Sequence, residues 1–540
     1  MRRTAFPAAV IVILGSAMAG GLLGSQMSAS RQERAEARDR IFSAALAAVE
    51  TGYVEPVDTE QAVYSSITGM LNTLDPHSSF FTPRDFAQMR ERQEGRYYGI
   101  GISIVAAPNG DITVTSLFEG SPAYRAGIRR GDVLAKVREE STKGWSTEDV
   151  VAKVRGPKGT TVDISIRRPG VEKLFDLTVE RDEVKIVSVS TAFMLQPGTG
   201  YLRLQDFSET SNDEIGAALQ KLGGMGMQRL ILDLRDNPGG PLDQAIAIAN
   251  RFLRKGQMIV YTRGRIENSD FDYRAQEQGS NPDVPLIVLV SRRSASASEI
   301  VSGAIQDHDR GLIIGETTFG KALVQSVFPI SAGAGLALTT GRYYTPSGRL
   351  IQRPWDGSFD EYLTYSLRSQ NGNKQHDPAL LKYTDSGRKV YSGGGIEPDH
   401  FIEGPVEGFD PQRFSRLLVS RGAFIGFAEQ FRKAGDTRRA SASAAAFTVG
   451  DDWQVTDEML AAFRQYLVSQ RVRIDEAAWT KDHDFLKAMI HFEVDNEFSF
   501  EEARRNLSSV DPQVQAALGY FDEAKRLLET ARSAGAGGGR

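Results

Sequence analysis

The chain has 540 residues, enough for roughly three or four domains of ~150 residues, and its 41% hydrophobic content is that of an ordinary soluble globular protein. It contains no cysteine, which excludes disulfide scaffolds, thiolate zinc sites, cysteine nucleophiles and thiol redox chemistry. With 64 basic and 69 acidic residues the formal charge is −5, so bulk electrostatics give no reason to expect a nucleic-acid partner.

Arg2 and Arg3 precede an uncharged stretch from Thr4 to Gln26, the order of a charged n-region and an apolar h-region. Ala17-Met18-Ala19 offers a small-residue cleavage site, and the stretch is also just long enough to span a ~30 Å hydrocarbon core. For residues 1–26, signal peptide and uncleaved membrane anchor both stay open. In either case the arginines sit on the cytoplasmic side and everything later is exported. Residues 27–94 read as an N-terminal helical region, with Ile41, Ala45 and Val49, then Val63, Ile67 and Leu71, at helical spacing.

From Tyr97 to about Arg181 the pattern changes to short strands and glycine turns: Ile100, Ile102 and Ile104 alternate, and Ile112 and Val114 follow Asn109-Gly110. Ser121-Pro122 opens a short helix, and Ser146 with Asp149 forms a capping box for a second helix that ends at Gly156. Residues 95–182 are therefore expected to be a compact β-rich domain. From Gly200 to about Gly348, strand runs (Tyr201–Leu204, Leu230–Leu234, Met258–Tyr261, Leu286–Val290, Leu312–Ile314, Leu336–Leu338) alternate with helical segments near 212–222, 241–253 and 298–308. That alternation implies βαβ units with buried parallel strands, whose sites lie beyond the carboxyl ends of the strands. Residues 353–405 look polar, glycine-rich and irregular. They close a core over 183–405, and 406–540 reads as a C-terminal helical region with start signals at Thr456, Ser499 and Asp511-Pro512 and a flexible glycine-rich tail.

The segment richest in chemistry is the strand 286–290 followed by Ser291-Arg-Arg-Ser294-Ala-Ser296-Ala-Ser298-Glu299. A serine at that turn stands beside free backbone N–H groups and the positive end of a helix, the environment an oxyanion needs. Ser296-x-x-Glu299 is also a capping box, which would make the serine purely structural, and Ser441-Ala-Ser recurs without any preceding strand. The tempting base, His308, lies twelve residues on, which along one helix is ~18 Å and outside hydrogen-bond reach. Lys321, in Gly315-Glu-Thr-Thr-Phe319-Gly320-Lys321, is the other candidate: apolar neighbours lower a lysine pKa, and Gln325 would share its face if 321–325 formed a helical turn. A solvated lysine with a snorkelling stem is the bland alternative. A P-loop matches Gly315-x4-Gly320-Lys321 but fails at Ala322, which has no hydroxyl for a metal. Ser386-x-x-Lys389 lacks its companion motifs, and no His-Glu-x-x-His metal site exists. Asp233-Leu-Arg-Asp-Asn237-Pro-Gly239-Gly240 connects a strand to a helix and offers either N–H donors or a tight turn. Tyr98-Gly99-Ile100-Gly101-Ile102 could hold a peptide carboxylate at a strand edge, or be a plain hairpin. Arg155 at the end of the second helix of the β-rich domain reads as a cation complementing the helix dipole.

Together these segments resemble the carboxyl-terminal processing peptidases, tail-specific serine proteases with a Ser/Lys dyad and an embedded PDZ domain. The resemblance runs over roughly residues 40–350. Its blocks are Leu-Asp-Pro-His-Ser-Ser-Phe (74–80), Tyr-Tyr-Gly-Ile-Gly (97–101), Ala126-Gly-Ile-Arg-Arg-Gly-Asp132, Asp-Leu-Arg-Asp-Asn-Pro-Gly-Gly (233–240), Ser-Ala-Ser-Ala-Ser-Glu (294–299), Gly-Glu-Thr-Thr-Phe-Gly-Lys (315–321), Tyr-Tyr-Thr-Pro-Ser-Gly-Arg (343–349) and Gly395-Ile-Glu-Pro-Asp399. It implies an α/β protease core, crotonase-like, with an inserted β-rich PDZ domain, N-terminal helices and a C-terminal helical region. It implies Ser296 as nucleophile, Lys321 as general base, Gln325 as its orienter, and the amides of Gly239, Gly240 and Ala297 as the oxyanion site. Asp307 matches a family aspartate that the helix arithmetic keeps away from the serine. Tyr98–Ile102 would bind the substrate tail, and Arg155 would contact the core when a tail is captured. The implied partners are protein C-termini, with no metal or organic cofactor, in the bacterial periplasm; inner-membrane anchorage and a homodimer stay open. The stretch 353–392 is longer than in compact members. The alternative is a non-catalytic PDZ scaffold that binds tails without cutting them.

Overall fold

The computed structural model describes residues 36–107, 109–118, 120–168, 171–267, 269–281, 283–355, 362, 376–403, 413–434 and 447–537. The leader or anchor expected at 1–26, much of the 353–392 stretch, the second Ser-Ala-Ser at 441–443 and the last residues of the tail lie outside them. Among the described residues no helix is long and apolar enough to cross a membrane. The chain divides into two units, one built from the N-terminal residues up to Thr82 with Val327–Ala337, the other from Pro83–Ser326 and Leu338 onward.

In the first unit, Asp58 caps the helix Thr59–Leu71 by accepting from the Gln61 amide. The strand Ser79–Phe81 pairs antiparallel with Gly335, Leu336 and Ala337, and Phe80 packs on Tyr64 with ring centroids 4.9 Å apart. The Asp75 carboxylate holds the turn between helix and strand by accepting from the amides of His77 and Ser78 and from the Ser78 hydroxyl.

In the second unit the chain enters and leaves the β-rich domain through one antiparallel ribbon, Arg96–Gly99 against Asp182–Lys185. Beyond it, strands Ile102–Ala106, Ile112–Leu117, Val133–Val137, Thr161–Arg167 and Phe175–Glu180 form an antiparallel sheet in that order. The two expected helices are Pro122–Arg125 and Thr147–Val154, capped by Ser121 and by the Ser146/Asp149 box. Ile112, Val114, Leu134, Val137, Val150, Val162, Ile164 and Ile166 make the core between sheet and helices.

The central sheet runs Val189–Gln196, Thr199–Leu204, Arg229–Asp233, Leu286–Val290, Leu312–Gly315 and His400–Phe401. The first pairing is antiparallel and all the others are parallel. Because strand side chains alternate, Leu230, Leu232, Leu286, Val288 and Val290 face one layer with the helices Ser211–Gly224, Leu242–Asn250 and Ala297–Asp307. Ile231, Ile287, Leu289, Leu312 and Ile314 face the other.

Three sequence expectations change. Met258–Gly264 and the expected strand around 336–338 do not join the parallel sheet: Met258–Gly264 pairs antiparallel with Phe271–Arg274 and with Gly341–Tyr344, since hydrophobic runs reveal a strand but not its partner. The polar stretch 353–405 supplies a hairpin, Leu381–Tyr383 with Lys389–Tyr391, and the last strand of the central sheet. The last helices, Pro512–Leu518 and Phe521–Gly537, are not a separate region: Val514, Ala517, Phe521 and Ala524 cover the second face of the central sheet. The preceding helices from Arg413 to Asn496 form their own aromatic core around Phe424, Phe427, Phe431 and Phe463.

Candidate active site

The strand Leu286–Val290 is wholly buried and runs into the turn 291–296, which the helix Ala297–Asp307 continues. The turn is sewn to the exit of the neighbouring strand: the Ser294 hydroxyl donates to Leu234 O at 2.7 Å, the Ala295 amide to Asn237 O at 3.0 Å, and the Ser298 hydroxyl to Asn237 O at 3.0 Å. Ser294 and Ser298 are fully buried with their hydroxyls committed. Ser296, between them, is half-exposed. Its backbone sits at φ 53°, ψ −112°, a strained conformation for a non-glycine residue and one that persists only where surroundings hold it.

Those surroundings are specific. Ser296 and Glu299 form the expected capping box: Glu299 accepts from the Ser296 amide at 2.8 Å, and the Glu299 amide also lies 2.8 Å from the Ser296 carbonyl. The same carboxylate oxygen, Oε2, accepts from the Lys321 amide at 2.9 Å, and Oε1 accepts from Gly320 N at 2.6 Å and the Thr318 hydroxyl at 2.5 Å. Burial pushes the Glu299 carboxyl up to about 7, against four donors that favour its ionised form. On the carbonyl side, the Tyr343 hydroxyl lies 3.1 Å from Ser296 O and 2.5 Å from Lys321 O.

Lys321 Nζ donates to Gln325 Oε1 at 2.8 Å. The expected helical turn is absent: Gln325 lies in the strand Leu323–Pro329, and residues four apart on an extended segment also share a face. The main chains of Ser296 and Lys321 share Glu299 Oε2.

Gly239, at φ 92°, lies against the serine turn: a Cβ there would come within 2.7 Å of Ala295 O and Ala297 N and 2.8 Å of the Ser296 Cβ. Its amide is already engaged, donating to Asn237 Oδ1 at 2.9 Å, so of the three expected oxyanion donors it is the one that is occupied. Among the described residues the amides of Gly240 and of Ala297, the first helical residue, have no acceptor. The Ala297 N–H and the positive end of the helix thus border the serine, and Gly240 follows the Gly239 that packs on it.

His308 ends the same helix, far from Ser296. Its ring nitrogens lie 2.7 Å from Asp385 Oδ2 and 2.6 Å from Met258 O. Burial opposes the charged ring, but the Asp385 carboxylate outweighs it and raises the pKa. Asp307 accepts from the Arg349 guanidinium and from the Ser347 amide and hydroxyl, which makes it a structural anchor of the 345–349 turn.

In the β-rich domain, Tyr98 and Gly99 belong to the entry ribbon. Ile100 is buried, and its carbonyl accepts from Ala123 N. Gly101 takes φ 80° so close to Ser121 that a Cβ would come within 2.3 Å of that side chain. The amides of Ile100 and Gly101 donate to nothing among the described residues. Ile102 opens the edge strand of the sheet, which among the described residues pairs with Ile112–Leu117 alone and lies near the helix Thr147–Val154. Arg155, at the end of that helix, pairs with Glu91, its guanidinium 4.5 Å from the Tyr97 ring centre. It does not reach Lys321 or Gln325 in this structure.

From sequence alone Glu299 reads as a cap and Tyr343 as part of a motif. The i+3 spacing was the signal for the first. For the second there was none, because its contact to Ser296 spans 47 residues.

Residues 198–356 match peptidase family S41, and residues 88–167 match the PDZ domain. The chain is 40% identical over 308 residues to the carboxy-terminal-processing protease of Bartonella bacilliformis, covering 56% of this chain and 70% of that protein. It is 34% identical over 333 residues to the carboxyl-terminal-processing protease of a Picosynechococcus species, covering 60% and 80%. Among solved structures, the photosystem II D1 C-terminal processing protease is similar at 28% identity, with 66% of this chain and 85% of that one covered and a TM-score of 0.35.

Proposed function

Since this chain belongs to peptidase family S41, as a carboxy-terminal processing serine protease that carries a PDZ domain, we propose that Ser296 is its nucleophile, Lys321 the base and Gln325 the residue that orients the base. The observation that carries this reading is that, of Ser291, Ser294, Ser296 and Ser298, only Ser296 is open to solvent, on a strained backbone at a helix N-terminus. A neutral Lys321 amine takes the proton from Oγ as Oγ attacks the scissile carbonyl carbon, and later passes it to the leaving amine; water then cleaves the ester. Gly240 and Ala297 hold the developing oxyanion, and Gly239 shapes the approach. Membership in a serine peptidase family leaves the scaffold alternative without support.

The substrate we infer is an exported protein with an unstructured C-terminal tail, in the periplasm, reached after residues 1–26 have directed export. The carboxylate of the tail sits on the amides of Ile100 and Gly101, and its backbone extends the sheet along the free edge of Ile102–Ala106. Arg155, through Glu91, links the end of the groove-lining helix to the helix Pro83–Glu94 and so couples capture to turnover.

The test is cleavage of a tail-bearing protein by residues 27–540. Ser296→Ala should abolish cleavage and cost at most ~1 kcal/mol of stability, the typical worth of a capping hydroxyl. Lys321→Arg should be inactive because guanidinium stays protonated. Cleavage retained by Ser296→Ala would refute the assignment.

A further inference from the structure

Tyr343 is almost wholly buried, in the strand Gly335–Tyr344. Its amide donates to Ala322 O at 3.0 Å, so its own main chain is fixed to the residue after Lys321. Its hydroxyl then lies between the carbonyl oxygens of Ser296 and Lys321, at 3.1 and 2.5 Å. A ring that merely filled the core would need no hydroxyl. Ser296 O already accepts from Glu299 N at 2.8 Å and Ile300 N at 3.0 Å. Lys321 O stands 2.5 Å from the Tyr343 hydroxyl, the shorter of the two contacts. The main chains on both sides of the site are thus held from two directions, their amides by one oxygen of Glu299 and their carbonyls by a hydroxyl whose single proton goes to the nearer Lys321 O while its oxygen stands 3.1 Å from Ser296 O.

We propose that Tyr343 is a positioning residue for proteolysis, its hydroxyl setting the distance across which the Lys321 amine meets the Ser296 hydroxyl. This rests on the Ser296/Lys321 reading above. The residue touches neither substrate nor reacting atoms; it acts by fixing the peptide planes from which both reacting side chains project. A displacement of about 1 Å between such groups costs on the order of 100-fold in rate. Because the tail binds on the β-rich domain, removing the hydroxyl should leave substrate capture alone. Burial and the nearby Glu299 carboxylate raise the phenol pKa well above its ordinary value, so the group stays a donor throughout the working range.

The experiment compares wild type, Tyr343→Phe, Tyr344→Phe and Ser296→Ala, all in the chain 27–540. It measures kcat and KM on a tail-bearing substrate, the rate of labelling by a fluorophosphonate probe, affinity for a C-terminal peptide, and thermal melting. Tyr344, which stacks on Tyr261 at 5.0 Å, controls for loss of a neighbouring hydroxyl and should stay within ~2-fold of wild type. Tyr343→Phe should lose about 100-fold in kcat and in labelling rate, with KM and peptide affinity within ~2-fold and the protein folded at the assay temperature. Turnover within ~3-fold of wild type, or turnover recovered by cooling in step with the folded fraction, would overturn the proposal. If Tyr343→Phe does not fold, 3-fluorotyrosine at this position keeps the shape and makes the hydroxyl a stronger donor: a changed kcat at unchanged KM and melting supports the role, and wild-type kinetics refute it. An active Ser296→Ala would bring down both the dyad and this proposal. An inactive one beside a fully active Tyr343→Phe would bring down the proposal alone.

Discussion

Glu299 has four donors directed at its two oxygens and no exposure to solvent. Its carboxyl, ordinarily near 4.5, is pushed by burial up to about 7. Between those values the unfolded chain has released a proton that the folded protein keeps. Stability therefore falls as pH rises through this window, and the cost is complete above about 7. Function runs the other way, because four donors need an ionised acceptor and the grip on Ser296 and Lys321 is complete only on the alkaline side. We expect the melting temperature of wild type to gain on that of Glu299→Gln as pH drops from about 8 to about 5, while wild-type turnover declines over the same range. Paired melts that keep a constant difference across this range would show that the carboxyl does not titrate there.

At the scale of single elements, Arg155 ends the helix Thr147–Val154 without a helical conformation of its own. Its guanidinium is held by Glu91 and by the Tyr97 ring. A pure helix-dipole role would cost ~1 kcal/mol or less on Arg155→Ala and leave turnover intact. Coupling predicts instead that Arg155→Ala binds a C-terminal peptide normally but turns over about 5- to 150-fold more slowly, and that Glu91→Gln does the same. Normal turnover in both variants would exclude it. This helix was legible in the sequence because its capping box is local, as are the caps at Thr456, Ser499 and Asp511. The strand–turn–helix around Ser296 was legible for the same reason. What was not legible is pairing: Met258–Gly264 reads like any buried strand, and only its distant partners place it in an antiparallel sheet. Likewise, Lys321 meets Gln325 across the start of the strand Leu323–Pro329 although the spacing suggested a helical turn. Glu91 as the partner of Arg155, 64 residues earlier, carries no sequence signal.

On the scale of the whole second unit, the β-rich domain is tied to the C-terminal helices as well as to its ribbon. Arg130 reaches Glu493 and, at 3.5 Å, Glu497, with all three side chains at 12% exposure or less. The end of the chain is equally committed: Arg235, beside the buried Asp233, bonds Gln513 Oε1 and Asp511 Oδ2, each at 2.8 Å. A chain stopped after Val510 loses those bonds and uncovers the sheet face now shielded by Val514, Ala517, Phe521 and Ala524. At ~1.5–3 kcal/mol for each large apolar side chain left in water, the loss is comparable to the ~5–15 kcal/mol that holds a typical domain together. Such a chain should bind a hydrophobic dye and show no cooperative melt; a sharp melt near that of the full chain would refute this. The order of synthesis adds a consequence. A ribosome makes ~5–20 residues per second, so tens of seconds separate the first strand of the central sheet from the helix that closes its second face. Throughout that interval the nascent chain carries a central sheet whose second face, with Ile231, Ile287, Leu289 and Ile314, has not yet met the helix Phe521–Gly537 that covers it.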